Sequence, residues 1–379
     1  MAATAFPATP WDVAVVGAGL AGSLTALLLA EHGRRVVLLD RATFPRVKVC
    51  GCCLNGSALA ALHAVGLGDL PTRLGAVPLH GLRLAAGRRQ ATIPLPSVPF
   101  VGVSLSRWAL DAALIAEAQS RGVTFLPGMP VRLDSEENGP TRLLWRGDEP
   151  IRARLVIAAD GLGGTLAGAA PPQQGSRIGA GVVLPEHPFY TPGQIYMTTG
   201  AVGYLGLVRL EDGRLDLACA LDREACRRAG GPAPLAEMLL RQAGWPVPQA
   251  LHEAAWRGTP PLTRTARRIS GYRLFVVGDA AGYVEPFTGE GMAWALRSAV
   301  ALAPLAAQPW QAEAAQRWRA IHHRVVVSRQ GPCRWLASVL RRPWLMAPLV
   351  AMLNLWPDLA RPFTQALNRP AHAVPMDCS

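Results

Sequence analysis

The residues of this sequence that are best suited to chemistry lie in two glycine-rich segments. The first, Gly17-Ala18-Gly19-Leu20-Ala21-Gly22, is a complete GxGxxG pattern, and Asp40 follows 23 residues after Gly17. Glycines at this spacing allow a tight turn, close approach of the backbone to a pyrophosphate, and close packing of helix on strand. A carboxylate at the position of Asp40 accepts hydrogen bonds from ribose hydroxyls and disfavours the 2′-phosphate of NADP. The pattern therefore predicts a dinucleotide site.

The second segment, FVVGDAAGYVEPFTGEGM, runs from Phe275 to Met292. It predicts a buried strand that ends at Gly278-Asp279, then a turn, then a helix that starts near Gly289 to Met292. An NAD site needs no second segment of this kind, whereas the longer FAD molecule needs a second contact zone. Asp279 could accept a hydrogen bond from the ribityl chain, and the helix start could offer N–H groups to the flavin ring. We therefore expect FAD to be held at both ends.

The elements around the first segment are predicted from hydrophobic periodicity. Val13–Val16 is expected to be a buried strand, followed by the glycine turn and a helix to about His32, and RVVLLD is expected to be a second strand closing on Asp40. The uncharged stretch from Val13 to Ala30 is also long enough for a membrane helix. Its three glycines and β-rich beginning favour strand, turn and helix.

Later segments complete a two-layer plan. Ser106–Gly122 predicts a helix with a serine N-cap, and RARLVIAADG predicts a strand that ends at Asp160-Gly161. From about 176 to 268 the pattern changes to strand-like segments and turns, which indicates an antiparallel sheet.

The predicted fold class is α/β (α+β overall), with a Rossmann-like FAD-binding domain, an inserted antiparallel-sheet substrate domain and C-terminal helices. We expect the FAD-binding domain to comprise residues 10–78, 100–175 and 270–330. The substrate domain is expected at 79–99 and 176–269, and a C-terminal helical segment at 331–379.

The charge and the cysteine content of the chain indicate which partners and which cellular location to expect. The 379 residues carry a net charge of +12, nearly all of it from arginine, because Lys48 is the only lysine. No basic run exceeds two residues, so we expect a dispersed arginine-rich surface and no nucleic-acid partner. Seven cysteines form no spaced pairs, which argues against a disulfide scaffold and against a metal site, and indicates a reducing, cytoplasmic location.

The C-terminal third contains an apolar run that allows two interpretations and a pair of histidines in a polar helix. The 13-residue uncharged run from Trp344 to Trp356 is too short to span a bilayer. It predicts either a helix that caps a substrate cavity, which we favour, or an interfacial helix with arginine flanks that makes peripheral membrane contact. His322 and His323 lie in a polar helix and are expected at the solvated surface.

The motifs taken together resemble a known family. GAGLAG, DR, FPRVKVCG, SRWALDAALIAEA, IAADG and GDAAGYVEPFTGEGM occur in the order found in FAD-dependent oxidoreductases of the para-hydroxybenzoate-hydroxylase fold. They are most similar to the geranylgeranyl-reductase-like branch, which is close to the group A monooxygenases and the flavin halogenases. The resemblance covers about residues 10–330.

The resemblance implies a set of cofactor-binding residues, position by position. Those at the adenosine and pyrophosphate would be Gly17, Ala18, Gly19, Ala21, Gly22, Asp40, Arg41 and Arg107, with Val131 on the adenine and Asp160-Gly161 as the middle DG signature. Those around the ribityl chain and ring would be Gly278, Asp279, Pro286, Gly289, Gly291 and Met292, with Lys48, Cys50 and Gly51 in a loop near the ring.

Two departures from the branch bear on the reaction. Where the reductases often have CGGGL, this chain has Cys50-Gly51-Cys52-Cys53-Leu54, and where they have Tyr-x-Trp-x-Phe-Pro it has GYLGLVRL, with Gly206 in place of the tryptophan. Cys52 and Cys53 are expected to be small buried residues. The missing tryptophan favours a monooxygenase that acts through a flavin hydroperoxide on a hydrophobic or aromatic metabolite of polyketide or isoprenoid type.

Two alternative functions remain open. The first is a flavin-dependent reductase of carbon–carbon double bonds, for which Cys50 is the candidate catalytic proton donor. The second is a non-catalytic prenyl-binding protein of the escort type on the same fold. The expected electron source is NADH, NADPH or a partner reductase.

Overall fold

The computed structural model describes residues 9–135, 139–168, 172–285, 287 and 289–368. Its strands are β1 (Trp11–Val16), β2 (Val36–Leu39), β3 (Cys53–Leu54), β4 (Val77–Pro78), β5 (Gly81–Ala86), β6 (Arg89–Pro94), β7 (Val103–Ser104), β8 (Thr124–Leu126), β9 (Arg132–Leu133), β10 (Arg142–Arg146), β11 (Glu149–Ala158), β12 (Ile178–Leu184), β13 (Gln194–Gly200), β14 (Gly203–Arg209), β15 (Leu215–Leu221), β16 (Arg257–Pro261), β17 (Arg264–Thr265), β18 (Ser270–Gly271), β19 (Leu274–Val276) and β20 (Gly282–Tyr283).

The helices connect and cover these strands. They are α1 (Leu20–Glu31), α2 (Gly56–His63), α3 (Leu70–Arg73), α4 (Arg107–Ser120), α5 (Arg223–Arg228), α6 (Pro232–Ala243), α7 (Glu290–Ala306), α8 (Glu313–Val325), α9 (Gln330–Leu340), α10 (Pro343–Leu355) and α11 (Arg361–Asn368). The segments Gln249–Leu251, Gly278–Ala281, Val327–Arg329 and Pro357–Ala360 form single turns of 3₁₀ helix.

The first sheet has a parallel centre in the order β19-β11-β1-β2-β8, with β18 antiparallel at one edge. β10 pairs with β11, and β9 pairs with β10. Every residue of β2 is buried, as expected for a parallel strand covered on both faces. α1 packs against α4 and α7 beside this sheet. The stretch Val13–Ala30 is thus strand, turn and buried helix, as predicted. Among the described residues, no single helix is both long and apolar enough to cross a bilayer.

The second sheet has the order β16-β12-β15-β14-β13-β5-β6. The prediction of an antiparallel sheet is wrong for one pair, because β13 and β5 run parallel. Parallel neighbours need a long crossover connection, and here that connection passes through the first sheet. α6 packs behind β13 and β14 and closes a core that includes Tyr196, Leu217 and Leu239. The fold class is α/β with an antiparallel-rich second layer, as predicted, whereas the domain boundaries stay a prediction.

The C-terminal helices cover both layers. α8 packs against α7 and the β18–β19 edge, α10 lies across β5 and β6, and α11 contacts α2. The expectation of a solvated surface is wrong for His322, which is 3% exposed, whereas His323 is exposed. His322 lies four residues after the fully buried Trp318 and therefore shares its helix face, with 5.6 Å between the two rings.

Candidate functional site

One continuous groove connects the two glycine-rich segments. A cavity of about 1070 Å³ runs from the first glycine turn, past Asp40 and Asp160, to the start of α7, and on to the second sheet and α9–α11. Of the predicted site residues, those that line it are Gly17, Gly19, Ala21, Asp40, Arg41, Lys48, Cys50, Gly51, Arg107, Val131, Asp160, Gly161, Gly278, Asp279, Gly289, Gly291 and Met292. Ala18 and Gly22 lie behind its wall, and Pro286 lies outside the described residues.

The first turn is shaped by close backbone contacts. Gly17 has φ +107°, and a Cβ there would lie 2.2 Å from the carbonyl oxygen of Ala159 at the end of β11. A Cβ on Gly22 would lie 1.8 Å from the carbonyl oxygen of Gly17. The two glycines thus allow β1, α1 and β11 to meet at one point, which directs the start of α1 into the groove.

The start of α1 carries positive charge from three sources. No side chain caps the helix, which begins at Leu20, so its first N–H groups are available to a ligand. A Cβ on Gly19 would lie 3.5 Å from Arg46 Nη2 and 3.7 Å from Arg107 Nη2. Because Gly19 has no side chain, there is room beside it between the two guanidinium groups. We call this space the arginine cradle, and its charge and donors suit a pyrophosphate.

Asp111 holds these two arginines in place. Arg107 Nη2 lies 2.8 Å from Asp111 Oδ1, and Arg46 Nη2 lies 3.5 Å from Asp111 Oδ2. One fully buried carboxylate cannot neutralise two guanidinium groups, so the cradle keeps a net positive charge. Arg46 was not among the predicted cofactor-binding residues, and only its position inside FPRVKVCG pointed to such a role.

Asp40 is fixed at the ribose end of the groove. The backbone N–H of Ala18 donates to Asp40 Oδ2 at 2.7 Å, and that of Ala42 donates to Oδ1 at 2.8 Å. A carboxylate has about four acceptor sites, so these two bonds leave capacity for ribose hydroxyls.

The late segment packs directly against the first. Gly278 has φ +62°, and a Cβ there would lie 2.8 Å from the Cβ of Ala21 in α1. The predicted helix begins at Glu290, after Gly289, whereas the residues that follow Gly278 form a single 3₁₀ turn and the short strand β20.

The only lysine connects three segments of the wall. Lys48 Nζ lies 3.3 Å from Asp279 Oδ2 and would lie 3.8 Å from a Cβ on Gly161.

The Asp160 carboxyl makes hydrogen bonds within its own turn. Its Oδ2 accepts the backbone N–H groups of Thr165 and Leu166 at 2.7 and 3.0 Å. Burial raises the pKa of Asp160. Because the Asp160 carboxyl accepts those two hydrogen bonds, it stabilises the turn after β11.

The cysteine loop lies against the start of α7. Cys53 is the neighbour nearest to a Cβ built on Gly289, and Cys50, Cys52 and Cys53 all line the cavity. The backbone N–H of Cys52 lies 3.4 Å from Cys50 Sγ. The pKa of Cys50 is lowered to about 6, mainly by a hydrogen bond from the Cys52 thiol and with help from the charge of Arg107, although burial opposes the shift.

The other two cysteines differ from each other. Cys52 is buried, as predicted, and has φ +50°, whereas Cys53 is half-buried, so the prediction is wrong for Cys53. Its thiol instead donates to the carbonyl oxygen of Gly51 at 3.0 Å. Among the described residues, no group of three or more His, Cys, Asp or Glu side chains could hold a metal ion.

The far half of the groove is apolar. Its walls come from the second sheet, for example Leu84, Ile195 and Met197, and from the C-terminal helices. Gly206 lines the cavity, and a Cβ there would be in ordinary contact with Met197 at 3.8 Å. The glycine therefore leaves to the cavity the space that a tryptophan ring would take. Tyr204 packs edge-on to Phe287, with ring centroids 5.0 Å apart.

The segment α9–α11 closes this half. Leu336, Met346, Leu353 and Phe363 are among its residues that line the cavity, which agrees with the predicted cap. Trp335, Trp344, Leu355, Trp356 and Leu359 of the same segment are exposed. We call these five residues the apolar C-terminal surface.

Comparison with known proteins agrees with this geometry. A family model described as an FAD binding domain matches residues 10–188. The menaquinone reductase of Mycobacterium tuberculosis is 30% identical over 309 residues, which is 76% of this chain and 74% of that protein. Digeranylgeranylglycerophospholipid reductase 2 of Methanothermobacter thermautotrophicus is 29% identical over 318 residues, covering 79% and 78%.

Solved structures share the fold at lower identity. PqsL of Pseudomonas aeruginosa, a probable FAD-dependent monooxygenase, has a TM-score of 0.72 and 19% identity and covers 90% of this chain and 99% of that one. The flavin-dependent halogenase CmlS has a TM-score of 0.70 and 23% identity, covering 86% and 62%. The chain therefore belongs to the FAD-dependent oxidoreductases of the para-hydroxybenzoate-hydroxylase fold, and FAD is its cofactor.

Proposed function

We propose that this chain reduces a carbon–carbon double bond in a membrane-borne isoprenoid lipid, with Cys50 as the proton donor. The observation that carries the proposal is the position of Cys50, which lines the same cavity as the start of α7 and the apolar wall of the second sheet. We prefer this function to the monooxygenase that the sequence favoured because Gly206 stands in place of a tryptophan.

A reductase and a monooxygenase make different demands on the chain. Bound FAD in its reduced form supplies the hydride for double-bond reduction, and the protein must then supply a proton to the neighbouring carbon. A monooxygenase mainly positions its substrate and excludes water, and requires no side-chain acid. A thiol with a pKa of about 6 is well matched to proton transfer near neutral pH.

The relatives and the cavity support an isoprenoid substrate. Two of the relatives that match about three quarters of the chain are named for the reduction of menaquinone and of a digeranylgeranyl lipid. An apolar wall of aliphatic side chains suits a prenyl chain, because burial of its methylene and methyl groups is favourable without directional contacts.

The test is product analysis with the FAD-loaded enzyme. The flavin is reduced without oxygen, by NADH, NADPH or dithionite, and the enzyme is mixed with a menaquinone or a geranylgeranyl lipid before exposure to labelled oxygen. We expect a product that has gained two hydrogens in its prenyl chain, not in a quinone ring, and that carries no label. Incorporation of labelled oxygen would instead establish the monooxygenase that Gly206 favours.

A variant pair tests the role of Cys50. Cys50→Ala should lose turnover while it keeps bound FAD, and Cys226→Ala, a change of a cysteine in α5 remote from the groove, should keep both. Full turnover in Cys50→Ala would remove the proposed proton donor.

We also infer that the apolar C-terminal surface rests on an anionic bilayer. Trp335 and Leu359 are exposed and also line the cavity, so the cavity opens through this surface. Trp344 is 71% exposed, and tryptophan is enriched at membrane interfaces. Arg342 and Arg361 are exposed on the same segment and would attract anionic lipid. A lipid could then enter the cavity without crossing water.

Flotation with vesicles tests this contact. The protein should float with vesicles that contain phosphatidylglycerol, and the double change Trp344→Ser and Trp356→Ser should abolish flotation. Arg342→Gln with Arg361→Gln should weaken it, and Arg228→Gln in α5 is the matched control. Equal flotation of all variants would contradict the contact.

A further inference from the structure

The C-terminal helices include a segment that polar contacts fix to the rest of the protein only at its two ends. Residues 342–367, which we call the strap, comprise α10, the turn Pro357–Ala360 and most of α11. As far as the structure describes these residues, their hydrogen bonds and ion pairs are local, within or directly beside the strap. Between its ends the strap therefore rests on apolar contacts, with Met346, Leu353 and Phe363 on the cavity and α10 across β6.

The far end of the strap is a buried anchor at Asn368. Its Oδ1 accepts the backbone N–H of Gly56 at 2.6 Å, and its Nδ2 donates to the carbonyl oxygens of Val98 and Phe100 at 3.2 and 3.1 Å. Asn368 is 5% exposed. These three hydrogen bonds make this end the fixed one, because a bond broken in a buried place leaves a polar group unpaired.

The near end of the strap is an anchor at the surface, made by Arg341. Its Nη2 lies 3.1 Å from Oε2 of Glu285 in the late glycine-rich segment, and its Nη1 donates to the carbonyl oxygen of Gly175. The Arg341 side chain is 38% exposed, and Gly175 is exposed as well. A ligand in solution or in a membrane can therefore reach this anchor, whereas the anchor at Asn368 is buried.

Glu285 has a second partner that does not belong to the C-terminal helices. Arg177 Nη1 lies 2.9 Å from Glu285 Oε1, and the two side chains are 6% and 0% exposed. Removal of the partner of a buried charge is costly because the charge is left uncompensated. Arg341 can leave Glu285 without that cost, since Arg177 stays paired with the carboxylate. Of the two arginines, Arg341 is thus the one that can be released.

We propose that the phosphate of an anionic membrane phospholipid takes Arg341 from Glu285 and so opens the near end of the strap. The inference rests on the lipid substrate and the membrane contact proposed above. Both Nη atoms of Arg341 contact oxygen atoms, and a phosphate can bind the same two donors side by side. Arg341 lies just before Arg342 and Trp344, which are exposed and would rest on the bilayer.

Release at the membrane would suit the entry of an isoprenoid lipid. The apolar side chains of the strap cover part of the cavity. Once its near end is free, the strap can turn about Asn368, and these side chains can enter the bilayer. A prenyl chain then takes their place in the cavity, and apolar surface stays out of water throughout the exchange. Glu285 and Arg177 remain paired, so the late glycine-rich segment keeps its position beside the groove.

The first experiment follows the strap itself and does not depend on turnover. Leu353 of α10 is 7% exposed and lines the cavity, so Leu353→Cys places a thiol that is protected while the strap is closed. Its alkylation by a maleimide in the FAD-loaded protein is followed by peptide mass spectrometry. Adding Arg341→Gln should speed labelling at position 353 about 5-fold, the size expected for a partly exposed ion pair. Arg334→Gln, which removes an exposed arginine of α9 that bonds Gln330 in the same helix, should have no effect.

Two comparisons separate opening of the strap from general loosening of the protein. Arg341→Lys keeps the charge and should restore most of the protection at position 353. Cys219, a buried cysteine of β15, should be labelled slowly in every variant. Unchanged labelling at position 353 in Arg341→Gln would overturn the proposal. Labelling of Cys219 that rises in step with position 353 would also overturn it, because the second sheet would then open together with the strap.

Soluble lipids identify the ligand that releases Arg341. Dihexanoyl-phosphatidylglycerol, below its micelle concentration, should speed labelling at position 353 when Arg341 is present and have no effect after Arg341→Gln. Dihexanoyl-phosphatidylcholine lacks net charge, and glycerol phosphate lacks acyl chains that could rest on the apolar C-terminal surface, so both should have little effect. An equal effect of glycerol phosphate would overturn the assignment to a lipid. The absence of any effect from all three probes would overturn the exchange at Arg341.

Turnover connects the strap to the reaction. With reduced FAD and the substrate in vesicles, wild type should have a lower KM in phosphatidylglycerol than in phosphatidylcholine. Arg341→Gln should reduce this difference at unchanged kcat, because release no longer needs the lipid phosphate, and Arg334→Gln should keep it. The same KM ratio in wild type and Arg341→Gln would overturn the role of the strap in substrate entry. An oxygenated product, in contrast, would refute the reductase function, whereas the labelling experiments would still report on the strap.

Discussion

Arg46 offers the sharpest test of the arginine cradle. Its Nη2 would lie 3.5 Å from a Cβ on Gly19, and it shares Asp111 with Arg107, which keeps its own two-atom contact to that carboxylate. Arg46→Ala should therefore leave the fold intact. A hydrogen bond to a charged group contributes about 1.5–3 kcal/mol, so the Kd for FAD should rise about 10- to 150-fold.

The assay separates the two ends of the cofactor. Apoprotein is titrated with FAD, ADP and riboflavin, by calorimetry or by quenching of flavin fluorescence. Arg46→Ala should weaken FAD and ADP by similar factors and leave riboflavin unchanged, because riboflavin carries no phosphate. Arg154→Ala, an exposed change on β11, is the control. ADP binding as tight as in wild type would refute the assignment of Arg46 to the phosphates.

Three further predictions concern packing, cavity and pH. Gly22→Ala should lower the free energy of unfolding by about 3 kcal/mol and abolish FAD binding, because its Cβ would lie 1.8 Å from the carbonyl oxygen of Gly17. Denaturant unfolding measures this change, and a variant as stable as wild type would contradict it. Gly206→Trp should keep bound FAD yet reduce turnover of long prenyl substrates, because the ring would fill the open space of the cavity; unchanged KM and kcat would argue against that substrate position. Burial lowers the pKa of His322 to about 4, below its ordinary value of 6.5, so folding favours the neutral ring. The free energy of unfolding should consequently fall by about 3 kcal/mol as pH drops from 6.5 to 4, and His322→Gln, but not His323→Gln, should flatten that slope in urea titrations.

The local pattern of the sequence was sufficient for the framework of the site. Gly17 to Gly22 and Asp40 had the residue types that a strand, turn and helix need at a phosphate, and the structure has that arrangement. The late segment was predicted to serve the same cofactor, and the contact of Gly278 with Ala21 brings the two segments into one groove. These features depend on short-range backbone geometry, which a single sequence encodes well.

What the sequence missed depends on contacts between distant segments. Arg46 has no motif of its own and is significant only because α4 places Asp111 beside it. His322 looked polar in sequence, yet the α8 face that carries Trp318 turns inward. Such cases depend on tertiary packing, which overrides local polarity.

The central claim is that one FAD molecule spans both glycine-rich segments, and a crystal structure of the oxidised FAD-bound protein tests it most directly. We expect continuous cofactor density, with the adenine half between Gly17 and Asp40 and the isoalloxazine ring beside Gly289 to Met292. Density that leaves either segment without cofactor contact would contradict the claim, and with it the positions assigned to Cys50 and the substrate.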